Sequence, residues 1–156
     1  MSSRKNQLRV SLGVLEYHSF EDKLIWAVAA KDIVLMAEYT NDEGPILDDY
    51  FLVFVSIQNG IPFFATASFY SEGRDEVVKH LGAQLAADIE LGLAFSTEWE
   101  SRIVWPPALA GQEYFECMEV PPNTVLARLR KVVFGPTYEY VPTKSVRAFL
   151  GSSSER

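Results

Sequence analysis

With 156 residues, 48% of them hydrophobic and 22% charged, the chain has the size and balance of a single globular domain and is too apolar for a disordered one. A formal net charge of −7 argues against sequence-independent nucleic-acid binding, whose affinity comes from Lys and Arg on phosphates. One cysteine, Cys117, and two histidines, His18 and His80, form neither a disulfide nor a zinc-type ligand set, so no metal, no cofactor and a reducing, cytoplasmic setting are expected.

The first residues, MSSRKNQLRVSLGVLEY, lack the apolar run and small-residue cleavage site of a secretory signal. No stretch has the roughly 18 uninterrupted apolar residues of a membrane span, so no membrane partner is expected. Residues 1–150 read as one domain, and the last six, GSSSER (151–156), as a flexible tail.

In chain order, LRVSLGV alternates with period two and reads as a half-buried strand, with Leu8, Val10, Leu12 and Val14 on one side. Ser19 followed by Asp22 resembles a helix cap, and the Ala-rich stretch after it predicts a helix near 20–30, then a strand near 32–40. TNDEGP is a turn cluster. The most apolar stretch, YFLVFVSIQNGIPFFATASFY (50–70), carries Asn59-Gly60 between β-forming runs, a hairpin signal. A three-residue loop, Gln58 to Gly60, would put Phe51, Val53, Val55 and Ile57 on one face with Ile61, Phe63, Ala65, Ala67 and Phe69; that register is the expectation.

Val77 or Val78, Leu81, Leu85, Ile89 and Leu93 recur every three to four residues and predict one long amphipathic helix over about 75–93. STEWESRIVW alternates again, with Trp99, Ile103 and Trp105 opposite Glu98, Glu100 and Arg102. EYFECMEV and PTYEYVPT read as strands, with a short helix over 124–130 between them, and SVRAFL as a short terminal helix. The expected fold is therefore α+β: a mostly antiparallel sheet with the 75–93 helix on one face and shorter helices near 20–30 and 124–130.

Catalytic signatures are missing from the sequence. The glycines fall into neither a phosphate-binding nor a dinucleotide spacing, and no GxSxG or HExxH occurs. His80 reads as a surface residue, and Cys117 as a small buried hydrophobe. Carboxylates are more numerous: Asp48 and Asp49 precede the hairpin, Glu98 and Glu100 share a strand face, and Glu113, Glu116 and Glu119 punctuate another strand. Acidic groups beside Trp99, Trp105 and Tyr114 resemble the rim of a protein interface.

The reading that joins these features is a small, acidic, non-enzymatic domain that masks a basic surface of another protein, in the manner of a toxin-neutralising immunity protein or a similar inhibitor or adaptor. Its partner-binding residues would be Asp48, Asp49, Glu98, Trp99, Glu100, Trp105 and Tyr114. The alternative is a cavity-type enzyme or small-molecule binder with a carboxylate or His18 at the pocket mouth. A homodimer pairing uncovered sheet faces is a third possibility.

Overall fold

The computed structural model describes residues 4–42, 44, 47–93, 98–135 and 138–154. The turn expected at 40–45 and the expected segments at 136–137 and 155–156 lie partly or wholly outside them.

The chain opens with a three-stranded antiparallel meander, β1 (Gln7–Ser11), β2 (Val14–His18) and β3 (Leu24–Ala29). The single strand read from LRVSLGV is thus two strands. Leu12 and Gly13 both have positive φ, 50° and 77°, and close a tight turn that leaves the Leu12 side chain in water. The helix expected near 20–30 is also a strand. Ser19 and Asp22 serve a turn, in which the Ser19 hydroxyl accepts from the Glu21 and Lys23 amides, both at 3.3 Å. LIWAVA then pairs along β2 with Trp26 and Val28 turned inward, so cross-strand burial overrides the helix propensity of its alanines.

A turn of 3-10 helix (Ala30–Asp32) leads into β4 (Ile33–Thr40), which joins β5 (Tyr50–Gln58), β6 (Ile61–Ser68) and β7 (Glu100–Trp105) in an antiparallel sheet of order β6-β5-β4-β7. The β5–β6 loop has two residues, not three: Gln58 faces Ile61, and Asn59 and Gly60 have φ of 51° and 76°. Two positive φ values match the right-handed strand twist, and this decides the register over the pairing with the more uniform apolar face. One face of the hairpin carries Leu52, Phe54, Ala65 and Ala67, the other Val53 and Val55.

Both faces are buried along most of β5 and at Ala65, Ala67 and Ser68 of β6, which accounts for the apolar run there, whereas Ile61, Phe63 and Phe64 near the hairpin tip are exposed. The meander and helix α1 (Arg74–Leu85) cover the first face, building a core of Leu8, Leu15, Trp26, Phe54, Val77, Leu81 and their neighbours. The Trp26 indole fastens the layers by donating to the Thr66 carbonyl at 2.9 Å. The second face packs Leu35, Ala37, Val53, Val55 and Ile103 against Tyr114 and against Val146 and Leu150 of α3 (Lys144–Ser154). In the last turn of α3 the hydroxyls of Ser153 and Ser154 donate to the carbonyls of Phe149 and Leu150.

The expected long helix is corrected too. α1 ends at Leu85 because Ala86 takes a left-handed conformation, φ 50°, and residues 86–93 continue as irregular backbone. Ile89 still reaches the first core from that loop, as does Leu91, so the spacing of Leu81, Leu85 and Ile89 mimicked a helix. Among the described residues the chain is mostly antiparallel sheet with three short helices, not a sheet with one long helix laid on it.

The remaining elements form an arm. β8 (Phe115–Glu119) pairs with β9 (Tyr138–Pro142) in a two-stranded ribbon, and α2 (Val125–Phe134) lies between them in sequence. α2 is capped by the Thr124 hydroxyl, which accepts from the Ala127 amide at 3.0 Å, and it runs four residues past the expected end. None of its residues is buried.

Candidate functional site

The register brings the acidic positions to one end of the main sheet. Thr40, the last residue of β4, pairs with Tyr50 on one side and Glu100 on the other. Asp49, just before Tyr50, and Glu100 therefore sit two strands apart, on the order of 10 Å. The Thr40 hydroxyl donates to the Glu98 carbonyl at 2.7 Å and holds the entry to β7. Asp48 is exposed, and Asp49 accepts from the Tyr70 hydroxyl at 2.9 Å. Partial burial, then that bond and the charges of Asp49 and Asp48, hold the Tyr70 hydroxyl above its ordinary range. A negative field at this end of the sheet follows.

Beside these carboxylates lies a cluster of aromatic rings. Trp99 stacks on Tyr140 of the arm with centroids 4.0 Å apart and an interplanar angle of 8°. Tyr39 lies parallel to Trp99 at 6.3 Å, stacks on Phe51 at 5.0 Å and meets Phe115 edge-on at 5.0 Å. A cleft of about 270 Å³ is lined by Trp99, Phe115 and Tyr140, with Glu100, Ser101 and Glu113 on its wall. Ser101 has a structural task, because its Oγ accepts from the Tyr114 and Phe115 amides at 3.0 and 2.9 Å and fixes the base of the arm. Glu100 and Glu113 are exposed, and among the described residues neither carboxylate has a cationic partner.

This geometry suits an organic cation. Aromatic faces attract a guanidinium or ammonium through the ring quadrupole, and a carboxylate at the rim adds a charge-assisted hydrogen bond.

Two of the expected interface residues belong elsewhere. Tyr114 is buried in the second core, and that burial pushes its hydroxyl far above the ordinary value. Trp105 sits at the far end of β7, paired with Met36, and packs against the first core. Register shifts by one residue between Met36 and Ala37, so Trp105 leaves the face on which Ile103 lies; strict alternation placed them together. Cys117, expected to be buried, is exposed on β8. His18 is placed by Glu16, whose carboxylate lies 2.9 Å from Nε2, with Asp22 3.6 Å from Nδ1; it is not among the cleft's lining residues. Among the described residues no group of three or more His, Cys, Asp or Glu is placed to hold a metal ion, and no helix is long and apolar enough to cross a membrane.

Sequence reasoning missed the buried polar centre behind this site. Glu38, on β4, is fully buried and accepts from the Gly92 amide at 2.9 Å, from Arg102 at 2.7 and 3.0 Å, and from the Tyr50 hydroxyl. Arg102 also donates to the Glu90 carbonyl at 2.8 Å, so one ion pair ties the 86–93 loop to the sheet beside the cleft. Burial, then the hydrogen bond to Glu38 and its charge, push the Tyr50 hydroxyl far up. The available signal was a lone carboxylate inside the otherwise apolar IVLMAEYT. Compared with known proteins, the chain matches no family model, no curated sequence and no solved structure, so its own geometry carries the functional reading.

Proposed function

We propose that the chain is a protein-binding domain of the inhibitor or adaptor kind, acting in the cytoplasm, that masks a basic surface of its partner by seating an Arg or Lys side chain in the cleft of Trp99, Phe115 and Tyr140. The observation that carries this reading is the pair of exposed carboxylates, Glu100 and Glu113, without a cationic partner among the described residues, on the wall of a stacked-aromatic cleft. Asp48, Asp49 and Glu98 at the same end of the sheet supply the steering field, and the net charge of −7 extends it. The cation gains its aromatic and ionic contacts together, so a basic protein is held at its charged side chains. The single thiol and the acidic composition support the cytoplasmic assignment.

The test is a titration with a short arginine-rich peptide, followed through the Trp99 indole N–H resonance and repeated at low and high salt. A saturable shift that weakens with salt is expected, and Glu100→Lys with Glu113→Lys should weaken binding by roughly tenfold or more. Glu72→Lys with Glu76→Lys, an equal charge change on exposed residues just before and within the first turn of α1, should leave most of the affinity. Equal loss from both double variants would reduce the binding to diffuse charge attraction and remove the cleft from the account.

A further inference from the structure

Helix α2 has its apolar side facing outward. Val125, Leu129 and Val132 recur at i, i+4 and i+7, with Leu126 and Val133 alongside. All five are exposed, from 59% at Leu129 to 85% at Val132, and Phe134 at the helix end is 81% exposed. The opposite side holds the helix to its own ribbon: Ala127 is half-buried, and Lys131 pairs with Glu119 at 2.6 Å. A contiguous apolar face of this kind on a small domain marks a contact with another molecule.

Charge identifies the occupant. α2 carries three of the chain's fourteen basic residues and none of its twenty-one acidic ones. Lys131 is paired, but among the described residues Arg128 and Arg130, which flank the apolar face, have no carboxylate partner. The same chain exposes the complementary deficit at Glu100 and Glu113. Within one molecule the two do not meet, because the cleft lies where the ribbon joins the sheet while α2 sits at the ribbon's far end and lines no part of it. Two arms laid antiparallel bring each tip to the other's base. A helix-to-helix pairing of two α2 copies would instead gather four like-charged arginine side chains, and an anionic bilayer would repel the acidic remainder of the chain.

We propose that the chain forms a two-fold dimer by arm exchange, in which α2 of each copy covers the cleft of the other, with Arg128 and Arg130 facing Glu100 and Glu113 and the apolar face of α2 meeting the cleft's aromatic rings. The contact is isologous and closes on itself. It rests on the cation preference assigned to the cleft above, and makes dimerisation and binding of a basic partner mutually exclusive.

Light scattering on the full chain decides it. The wild type is expected at twice the 17.6-kDa chain mass at micromolar concentration, and Leu129→Asp, at an exposed position, should raise the dissociation constant by roughly a hundredfold. Arg128→Glu with Arg130→Glu should give a monomer, and so should Glu100→Lys with Glu113→Lys. Mixing those two monomers should restore a dimer, because each arm then meets a cleft of opposite charge. A monomeric wild type overturns the dimer and leaves the peptide titration intact as the test of the cleft; anionic vesicles retained by that monomer but not by Leu129→Asp would reassign α2 to a lipid surface. A dimer that survives Leu129→Asp, or two monomers that stay apart on mixing, overturns the arm exchange.

Discussion

At the scale of single residues, the most consequential side chain is Glu38. A fully buried carboxylate persists only when its acceptor capacity is filled, and here Arg102, Tyr50 and the Gly92 amide fill it. Glu38→Ala strands the Arg102 guanidinium and the Gly92 amide and should lower the unfolding free energy by about 3 to 5 kcal/mol, read from urea denaturation. Arg102→Ala leaves the fully buried Glu38 carboxylate without its counter-charge and should cost at least as much, about 3 to 5 kcal/mol, whereas the guanidinium left by Glu38→Ala is a third exposed and is partly re-solvated by water. Tyr114 supplies a pH-dependent counterpart. Its folded-state pKa is raised above the ordinary value near 10, so the native state keeps a proton that the unfolded chain releases, and the associated stability is present below pH 10 and lost above it. Unfolding free energy should fall by up to about 1.4 kcal/mol per pH unit above pH 10 from this residue, and Tyr114→Phe should flatten that slope. A slope unchanged in the variant would remove Tyr114 as its source. Neither role was legible from one residue's identity: the tyrosine stood beside acidic neighbours like a rim residue, and only packing against α3 and the sheet buried it.

Among the elements, two turns separate conformational strain from collision. Gly60 closes the β5–β6 hairpin at φ 76°, and a Cβ there would lie 3.6 Å from the Ser154 carbonyl, an ordinary contact. Gly60→Ala should therefore cost only the left-handed penalty, about 1 to 2 kcal/mol. Gly73 precedes α1 at φ 80°, and its Cβ would overlap the Leu8 carbonyl oxygen, in the joint where the Leu8 amide donates to the Glu72 carbonyl at 2.8 Å. Gly73→Ala should be the worse of the two, on the order of 3 kcal/mol or more, because backbone on both sides must shift. Thermal melts of the pair check the order, and equal shifts would mean that the joint between β1 and α1 yields easily. Asn59-Gly60 announced its turn in the sequence, but Leu12-Gly13 did not. A leucine in left-handed conformation runs against propensity and is held there by the pairing of β1 with β2.

Over the whole molecule, burial is uneven. A core lies on each face of the main sheet, whereas no residue of α2 is buried. Replacing residues 121–137 by a short Gly-Ser turn should leave the melting temperature of dilute protein within a few degrees of the wild type, since little apolar area is removed from the folded state. A large drop would show that the arm supports the body. The stacking of Trp99 on Tyr140 joins the two at the cleft, which takes Trp99 from the approach to β7 and Phe115 and Tyr140 from the ribbon.

The sequence by itself determined the local features: an acidic chain, strands near 32–40 and within 96–105 and 113–120, the hairpin at Asn59-Gly60, a helix starting near 124, and the presence of carboxylates beside Trp99. These depend on composition and on alternation within a few residues, which neighbours in the chain specify. Tertiary structure alone decided that 24–29 is a strand, that the helix from 74 stops at Leu85, that Trp105 and Tyr114 face inward while Glu100, Glu113 and Tyr140 share a cleft, and that Glu38 meets Arg102. Each of those outcomes turns on partners far away in the chain. Ladder pairing and burial against a distant layer outweigh the few tenths of a kcal/mol by which local propensity separates helix from strand.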